Sequence, residues 1–85
     1  HMVLYSHETQ LRDFLSTRFA LDMSDTPLDE PLVETLALDS LAGLELMVEI
    51  EVQFNVYFTE DHLAQDRTLR NILEALDGLS WRAAS

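Results

Sequence analysis

Apolar residues recur near the start of the chain at the spacing that lines one face of a helix. They stand at i, i+3, i+4 and i+8: Leu11, Phe14, Leu15 and Phe19. Because an α-helix has about 3.6 residues per turn, this pattern predicts a helix from about His7 to Phe19. Ser6 stands where an N-terminal capping side chain is expected.

Two further helices are predicted by the same reasoning. From Ser40 to about Phe54 the chain has no proline, a single glycine and many strong helix formers, and Asp39 or Ser40 can cap that segment. Thr68 can cap a last helix whose apolar residues keep the i, i+3, i+4, i+7 pattern: Leu69, Ile72, Leu73 and Leu76. Gly78 suits the C-terminal end of this last helix.

The segments between these helices also carry information. Residues 20–38 are too long for a bare loop in a small domain, so we expect them to pack down through four anchors: Leu28, Leu32, Val33 and Leu36. Pro31 can open a short helical turn that runs through Leu36. The β-prone run 54–58 has no second strand to pair with, so it is interpreted as an apolar connection. Thr59, Asp61 and His62 then predict a short helix.

Together these elements predict an all-α fold, a small four-helix bundle with three longer helices, one short helix and a long first loop. At 85 residues the chain has the length of one domain, which we place at residues 3–79. Residues 1–2 are interpreted as a cloning scar or start, and residues 80–85 as a flexible tail.

Charge restricts the classes of partner. The formal net charge is −11, and all five basic residues are arginines that lie outside the acidic stretch 19–66. Such a chain repels nucleic acid and anionic lipid, so we expect neither as a partner and instead expect proteins with basic surfaces. The sequence has no cysteine, no signal-peptide pattern and no apolar run long enough to span a membrane, which favours a cytoplasmic domain. We also expect the domain to be a monomer.

The Ser40 helix, residues 40–54, has two apolar faces on a helical wheel. One face is suited to the core and holds Gly43, Leu46, Met47, Ile50 and Phe54. The other adjoins Ser40 and combines apolar residues with carboxylates: Leu41, Leu44, Glu45, Val48, Glu51 and Val52. A surface helix needs one apolar stripe, so we interpret the second as a docking surface for another protein. The alternative is that Leu44 or Val48 packs beneath the loop 20–38.

Ser40 has no histidine or lysine beside it in the sequence that could make it a nucleophile. We therefore interpret it as a site that another enzyme modifies. The start of a helix favours a phosphate on this oxygen through free backbone amides and the helix dipole. Asp39 would repel that anion, so its expected role is to cap the helix or to help hold a metal-bound phosphoryl donor in the modifying enzyme.

A leucine, two spacers and Asp-Ser-Leu over residues 36–41, followed by Glu45 and Leu46, resemble the attachment segment of the acyl carrier protein family. The resemblance extends over nearly the whole chain through later positions: Phe54, Val56, Phe58, Thr68, Leu69 and Ile72. Two positions depart from the family pattern, because Ala37 stands where glycine is common and Ala42 stands where an acidic residue is frequent.

This resemblance implies a carrier domain rather than an enzyme, with no metal site of its own. Ser40, next to Asp39, would receive 4′-phosphopantetheine from coenzyme A through a separate magnesium-dependent phosphopantetheinyl transferase. The arm would hold acyl or aminoacyl cargo as a thioester on its thiol. The other implied partners are an acyl- or aminoacyl-loading ligase and downstream acyl-processing enzymes of fatty acid, polyketide or peptide-type biosynthesis, which would recognise the second face of the Ser40 helix.

Other functions stay open from the residues alone. In an unmodified acidic interaction module, Ser40 would be only a helix cap and the second face would bind a basic amphipathic partner. A serine hydrolase would need a general base, and His7 and His62 stand alone in polar segments. Calcium binding by the acidic residues 22–34 lacks the ligand spacing and the glycine of a helix-loop-helix site, so a solvated loop is expected there.

Overall fold

A computed structural model describes residues 5–64 and 67–84 of the chain, with the side chains of these ranges described as far as residue 79. All regular structure in this part is helical: α1 Glu8–Phe19, α2 Leu32–Thr35, α3 Ser40–Phe54, α4 Glu60–Ala64 and α5 Leu69–Ala84. The predicted all-α fold with three longer helices is therefore confirmed. The turn expected after Pro31 forms as α2, so residues 5–64 and 67–84 include two short helices rather than one.

One hydrophobic core joins the helices. Its fully buried side chains come from α1, the first loop, α2, α3 and α5: Leu11, Leu15, Met23, Leu32, Leu46, Ile50, Leu69, Leu73 and Leu76. Helix α4 contributes Leu63, which is partly buried against this cluster, and the connection after α3 contributes Phe58. The apolar connection over residues 54–58 is confirmed, since its backbone forms no strand and Phe58 closes the core.

Arg12 anchors the long first loop from inside the protein. Its guanidinium is buried beside Glu8, one turn earlier on α1, with an Nε to Oε2 distance of 3.1 Å. The Nη1 group donates to the carbonyl oxygens of Met23 and Thr26 at 2.8 and 2.7 Å. A buried cation with a carboxylate and two carbonyl partners is well satisfied, and removing any one of them would leave an unpaired buried group.

The second half of the loop is attached to the start of α5. Arg70 donates through Nε and Nη2 to the two carboxylate oxygens of Asp29 at 2.7 and 3.0 Å. The backbone amide of Arg70 donates to the carbonyl of Leu28, and the amide of Leu32 donates to the carbonyl of Arg67. The Arg70 hydrogen bond lowers the pKa of Asp29. The loop is thus packed down, as predicted.

Three of the four predicted loop anchors are correct. Leu32 and Leu36 are buried, and Leu28 is partly buried against the core. The prediction that Val33 is an anchor is wrong, because 40% of its surface is exposed. Leu32 and Leu36 stand four residues apart and share the inward side of the short α2 turn, so the residue after Leu32 is rotated outward.

The predicted cap at the start of α1 is also wrong. His7 is the N-cap residue and makes no side-chain cap hydrogen bond. Ser6 instead donates its hydroxyl to Asp77 Oδ1 on α5 at 2.7 Å, and His7 Nδ1 donates to the same oxygen at 2.8 Å. His7 also packs edge-on against Phe54. Burial raises the pKa of Asp77, but hydrogen bonds from His7 and Ser6 outweigh it and lower that pKa overall.

The cap of α5 and the presence of the short helix α4 follow the prediction, but the end of α5 does not. Thr68 Oγ1 accepts a hydrogen bond from the amide of Asn71, and Thr59 Oγ1 accepts one from the amide of His62. Gly78 does not end α5, which continues to Ala84, so residues 80–84 of the predicted tail are helical. A glycine permits a left-handed end but does not impose one, and Leu79 still packs against the core.

No helix within the described ranges is long and apolar enough to cross a membrane.

Ala37 carries a backbone conformation that favours glycine, with φ 52°. In this left-handed region a β-carbon crowds the following carbonyl, whereas glycine adopts it freely. We expect Ala37→Gly to raise the free energy of unfolding by about 0.5 kcal/mol, the left-handed penalty less the greater freedom of glycine in the unfolded chain. Urea unfolding checks this, with Ala42→Gly inside α3 as the control that should destabilise. Equal losses of unfolding free energy in both variants would contradict backbone strain at Ala37.

Candidate functional site

The start of α3 presents a serine hydroxyl to solvent. Asp39 is the N-cap residue, and its Oδ1 accepts a hydrogen bond from the amide of Ala42 at 2.8 Å. Ser40 follows as the first residue of the helix, and it is exposed. Of the two predicted caps, the structure therefore selects Asp39. Because Asp39 supplies the cap, the Ser40 oxygen is available for chemical modification.

The backbone around Ser40 favours an anion on that oxygen. The amides of Ser40 and Leu41 have no hydrogen-bond acceptor within the described part of the chain. Unpaired amides at the first turn of a helix carry partial positive charge and bind phosphate oxygens readily. An ester of phosphoric acid on Ser40 would therefore be stabilised by the same residues that begin the helix.

The segment before Ser40 fixes its position. Leu36 and Leu38 are both buried, one on each side of the left-handed Ala37. The amide of Leu38 donates to the carbonyl of Val33 at 2.9 Å, which closes the turn between α2 and α3. Ser40 thus lies two residues after the buried Leu38, and the turn before it is fixed by the buried side chains of Leu36 and Leu38.

The two faces predicted for this helix are confirmed. Gly43, Leu46, Met47 and Ile50 are buried, and Phe54 packs against the core. On the other face, the apolar side chains have exposed fractions between 46% and 78%: Leu41, Leu44, Val48 and Val52. The alternative, that Leu44 or Val48 packs beneath the first loop, is wrong.

A shallow groove of about 450 Å³ runs along this exposed face. It is lined by Leu41, Leu44, Glu45, Val48 and Glu49. Apolar side chains beside carboxylates can bury area against a partner while the charges orient it. Val52 and Glu51 of the predicted set do not line this groove.

Glu49 was missed by sequence reasoning, although its spacing from Glu45 is a usable signal because residues four apart share a helix face. It forms a two-point ion pair with Arg18 of α1, at 2.7 Å from Nε to Oε1 and 3.3 Å from Nη2 to Oε2. This hydrogen bond and then the charge of Glu49 raise the pKa of Arg18, and the charge of Glu45 adds to the effect. Glu45 is exposed, so its charge faces solvent.

Glu51 has an intramolecular partner that the sequence did not reveal. Its Oε2 accepts a hydrogen bond from the backbone amide of Phe58 at 2.7 Å. The carboxylate thereby holds the connection between α3 and α4, whose Phe58 side chain is buried. Glu51 therefore supports this connection, and its role in partner binding stays a prediction.

His7 and His62 both have hydrogen-bond partners other than Ser40. His7 contacts Asp77 and Ser6, and His62 Nδ1 accepts the amide of Thr59 while its ring lies edge-on to Phe58. Neither histidine stands alone as predicted, and neither is oriented toward Ser40 as a general base, so the geometry gives a hydrolase no support. Within the described residues, no group of three or more His, Cys, Asp or Glu side chains could hold a metal ion.

Comparison with known proteins decides between the remaining functions. A family model described as "Phosphopantetheine attachment site" matches residues 9–76, which is most of the chain. The chain belongs to the acyl carrier protein family. It is therefore a carrier protein rather than an enzyme, and this family's group is a covalently attached 4′-phosphopantetheine. The unmodified interaction module is not supported.

Several curated acyl carrier proteins are similar to this chain. "Acyl carrier protein" of Aster yellows witches'-broom phytoplasma (strain AYWB) is 34% identical over 64 residues, covering 75% of this chain and 84% of that protein. "Acyl carrier protein 2" of Pseudomonas aeruginosa is 27% identical over 70 residues, covering 82% and 89%. "Polyketide-8 synthase acyl carrier protein 2" of Streptomyces avermitilis is 31% identical over 67 residues, covering 79% and 77%. No solved structure shows a significant match.

The start of α3 in this acyl carrier protein fits a phosphate-linked group. The hydroxyl of Ser40 is exposed, the neighbouring amides are unpaired, and Asp39 directs its carboxylate to the amide of Ala42. A phosphodiester needs an oxygen to which it can be esterified and donors for its charged oxygens, and both are present here.

Asp39 should have a measurable role in stability that is separate from any role in modification. Replacing an N-cap aspartate by alanine leaves the amide of Ala42 unpaired, so we expect Asp39→Ala to lower the free energy of unfolding by about 1 kcal/mol. Asparagine keeps the capping oxygen without the charge, and Asp39→Asn should stay close to the parent protein. Urea unfolding of the three proteins measures this. Equal losses in both variants would show that charge, and not capping, stabilises α3.

Proposed function

We propose that Ser40 is the residue to which 4′-phosphopantetheine is attached. The observation that supports this most strongly is the exposed Ser40 hydroxyl at the first position of α3, with Asp39 rather than Ser40 serving as the helix cap. A serine without a neighbouring base needs an external enzyme to remove its proton. A magnesium-dependent phosphopantetheinyl transferase that uses coenzyme A has this role.

The residues of the chain anchor and present the group. When bound, the arm supplies a thiol on which acyl or aminoacyl cargo is carried as a thioester. Ser40 provides the ester oxygen, and the amides of Ser40 and Leu41 stabilise the phosphate charge. The domain itself supplies no general acid or base, so every reaction of the cargo belongs to partner enzymes.

The groove on the exposed face of α3 is the proposed docking surface. Leu41, Leu44 and Val48 supply apolar area, and Glu45 supplies charge. The chain carries a net charge of −11, so basic patches on partners would steer the encounter. Burial of a small apolar area gives modest affinity, which suits a carrier that must leave each enzyme in turn.

The proposed partners follow from this chemistry. They are the phosphopantetheinyl transferase, an acyl- or aminoacyl-loading ligase, and downstream acyl-processing enzymes with basic docking surfaces. Fatty acid, polyketide and peptide-type biosynthesis all use such carriers, and the named similarity to a polyketide synthase carrier supports an acyl rather than an aminoacyl cargo. We propose that the domain acts as a monomer in the cytoplasm.

Attachment is tested by intact mass. After incubation with coenzyme A, Mg²⁺ and a broad-specificity phosphopantetheinyl transferase, the parent chain should gain one phosphopantetheine unit. Ser40→Ala should gain none while retaining its helical circular dichroism, since an exposed first-turn hydroxyl is not part of the core. A folded parent protein that gains no mass, or an alanine variant that still gains it, would contradict the assignment of Ser40.

Docking is tested by charge reversal. We expect Glu45→Lys to slow loading by the transferase about fivefold at low salt, because a positive charge would then face a basic patch. The difference should shrink as salt is added, since screening weakens exposed charges. Glu74→Lys makes the same charge change at an exposed position of α5 and serves as the control. Equal slowing in both variants would show that net charge causes the effect, and it would contradict docking at the groove.

A further inference from the structure

Arg67 lies against the first turns of α3. Its guanidinium occupies the space beside Gly43 that a side chain would otherwise fill. A β-carbon at Gly43 would stand 3.2 Å from Cζ, 3.3 Å from Nη1 and 3.4 Å from Nε of Arg67. The two shorter separations are tighter than most contacts of a β-carbon, so a side chain at position 43 would require the guanidinium to shift by a few tenths of an ångström.

The Nε atom of Arg67 is buried and has no hydrogen-bond partner among the residues that the structure describes. The other arginines with described side chains differ in this respect, since Arg12, Arg18 and Arg70 each donate from Nε to a carboxylate. Among the described residues, Arg67 forms no ion pair with a carboxylate within 4 Å. A buried donor without an acceptor is costly, and such a group calls for an explanation.

Gly43 adds to this cost. It lies inside α3, where glycine is destabilising relative to alanine. The placement of the guanidinium therefore has two energetic costs, which are a helix turn weakened by glycine and a buried donor without an acceptor. Packing alone does not account for the pair, because an alanine at position 43 with a shorter residue at 67 would avoid both costs.

The position of Gly43 relative to Ser40 suggests the missing acceptor. Residues three apart on a helix are neighbours on its surface, with about 5–6 Å between their β-carbons. Because Arg67 packs at Gly43, a phosphate esterified to the Ser40 oxygen would lie within one helical turn of the guanidinium. Arginine binds phosphate strongly because its planar donors match the geometry of the anion.

We propose that Arg67 binds the phosphate that joins 4′-phosphopantetheine to Ser40, with Gly43 providing the space for its guanidinium. This inference rests on the proposed attachment at Ser40. The buried Nε–H gains a charged acceptor upon modification, so the first segment of the arm is held against α3 while the remainder stays free. Arg67 is a cofactor-binding residue in this account and takes no part in the reactions of the cargo.

The first test observes the arginine itself. The side-chain Nε–H signal of Arg67 is assigned in ¹⁵N-labelled protein by its loss in Arg67→Lys, and it is compared before and after modification that intact mass confirms. We expect the proton to move downfield and to exchange more slowly with water, while the Nε–H signals of Arg18 and Arg70 stay in place. A mass gain with no change at Arg67 would overturn this inference and leave attachment at Ser40 intact.

The second test measures the coupling between modification and Arg67. In the parent protein, we expect modification to raise Tm by about 4 °C at low salt through the new charge-assisted bond. Arg67→Gln should lose this gain, and Arg67→Lys should keep part of it. Arg18→Gln removes the same charge from α1, where Arg18 pairs with Glu49 in the second half of α3, and should keep the whole gain.

The outcomes of these tests separate the two proposals. Equal gains in Tm for the parent protein and Arg67→Gln would overturn the phosphate contact alone. A folded parent chain that gains no mass would overturn attachment at Ser40 and the phosphate contact with it. Gly43→Ala provides an independent check, because a β-carbon displaces the guanidinium and should reduce the gain in Tm without removing any charge.

Discussion

Burial of one face of α3 in the core fixes the positions of Ser40 and of the exposed groove on the same helix. Leu46 and Ile50 are almost completely enclosed in the cluster shared with α1, α2 and α5, and Met47 is nearly so. Each buried aliphatic side chain contributes about 1.5–3 kcal/mol relative to exposure, so this face cannot rotate away from the core without a large loss. Its opposite face is therefore held outward, and the first residue of the helix is held at the surface.

This constraint explains how a chain with so little chemistry of its own can serve other enzymes. Ser40 lies at the start of α3, and the groove beside it runs along the same helix. In the proposed function, a partner that docks in the groove would therefore meet the group on Ser40 at a fixed separation. Arg12, Arg18 and Arg70, in contrast, are used for contacts within the domain. Arg12 and Arg70 hold the long first loop to the helices. Arg18 pairs with Glu49, and within the described residues the exposed Glu45 beside the groove forms no direct ion pair.

The features that could be predicted from the sequence are those set by local spacing. Helical periodicity is a property of neighbouring residues, and it predicted the three longer helices and both faces of α3. The predicted cap of α1 failed where a distant contact decided the outcome, since Ser6 bonds Asp77 instead of capping the helix. The hydrogen bond from the Phe58 amide to Glu51 likewise joins residues whose pairing no helical spacing indicates.

Other features depend on tertiary placement that no short pattern contains. The buried position of Met23 and the seating of Arg67 beside Gly43 bring together residues from separate elements. The central claim, that the exposed face of α3 receives partners, is tested most directly by mapping amide chemical shifts of ¹⁵N-labelled protein as a phosphopantetheinyl transferase is added. The account predicts that the largest changes lie at Ser40 and along the groove beside it. Changes centred instead on the separate groove formed by α1 and Gln53 would contradict it.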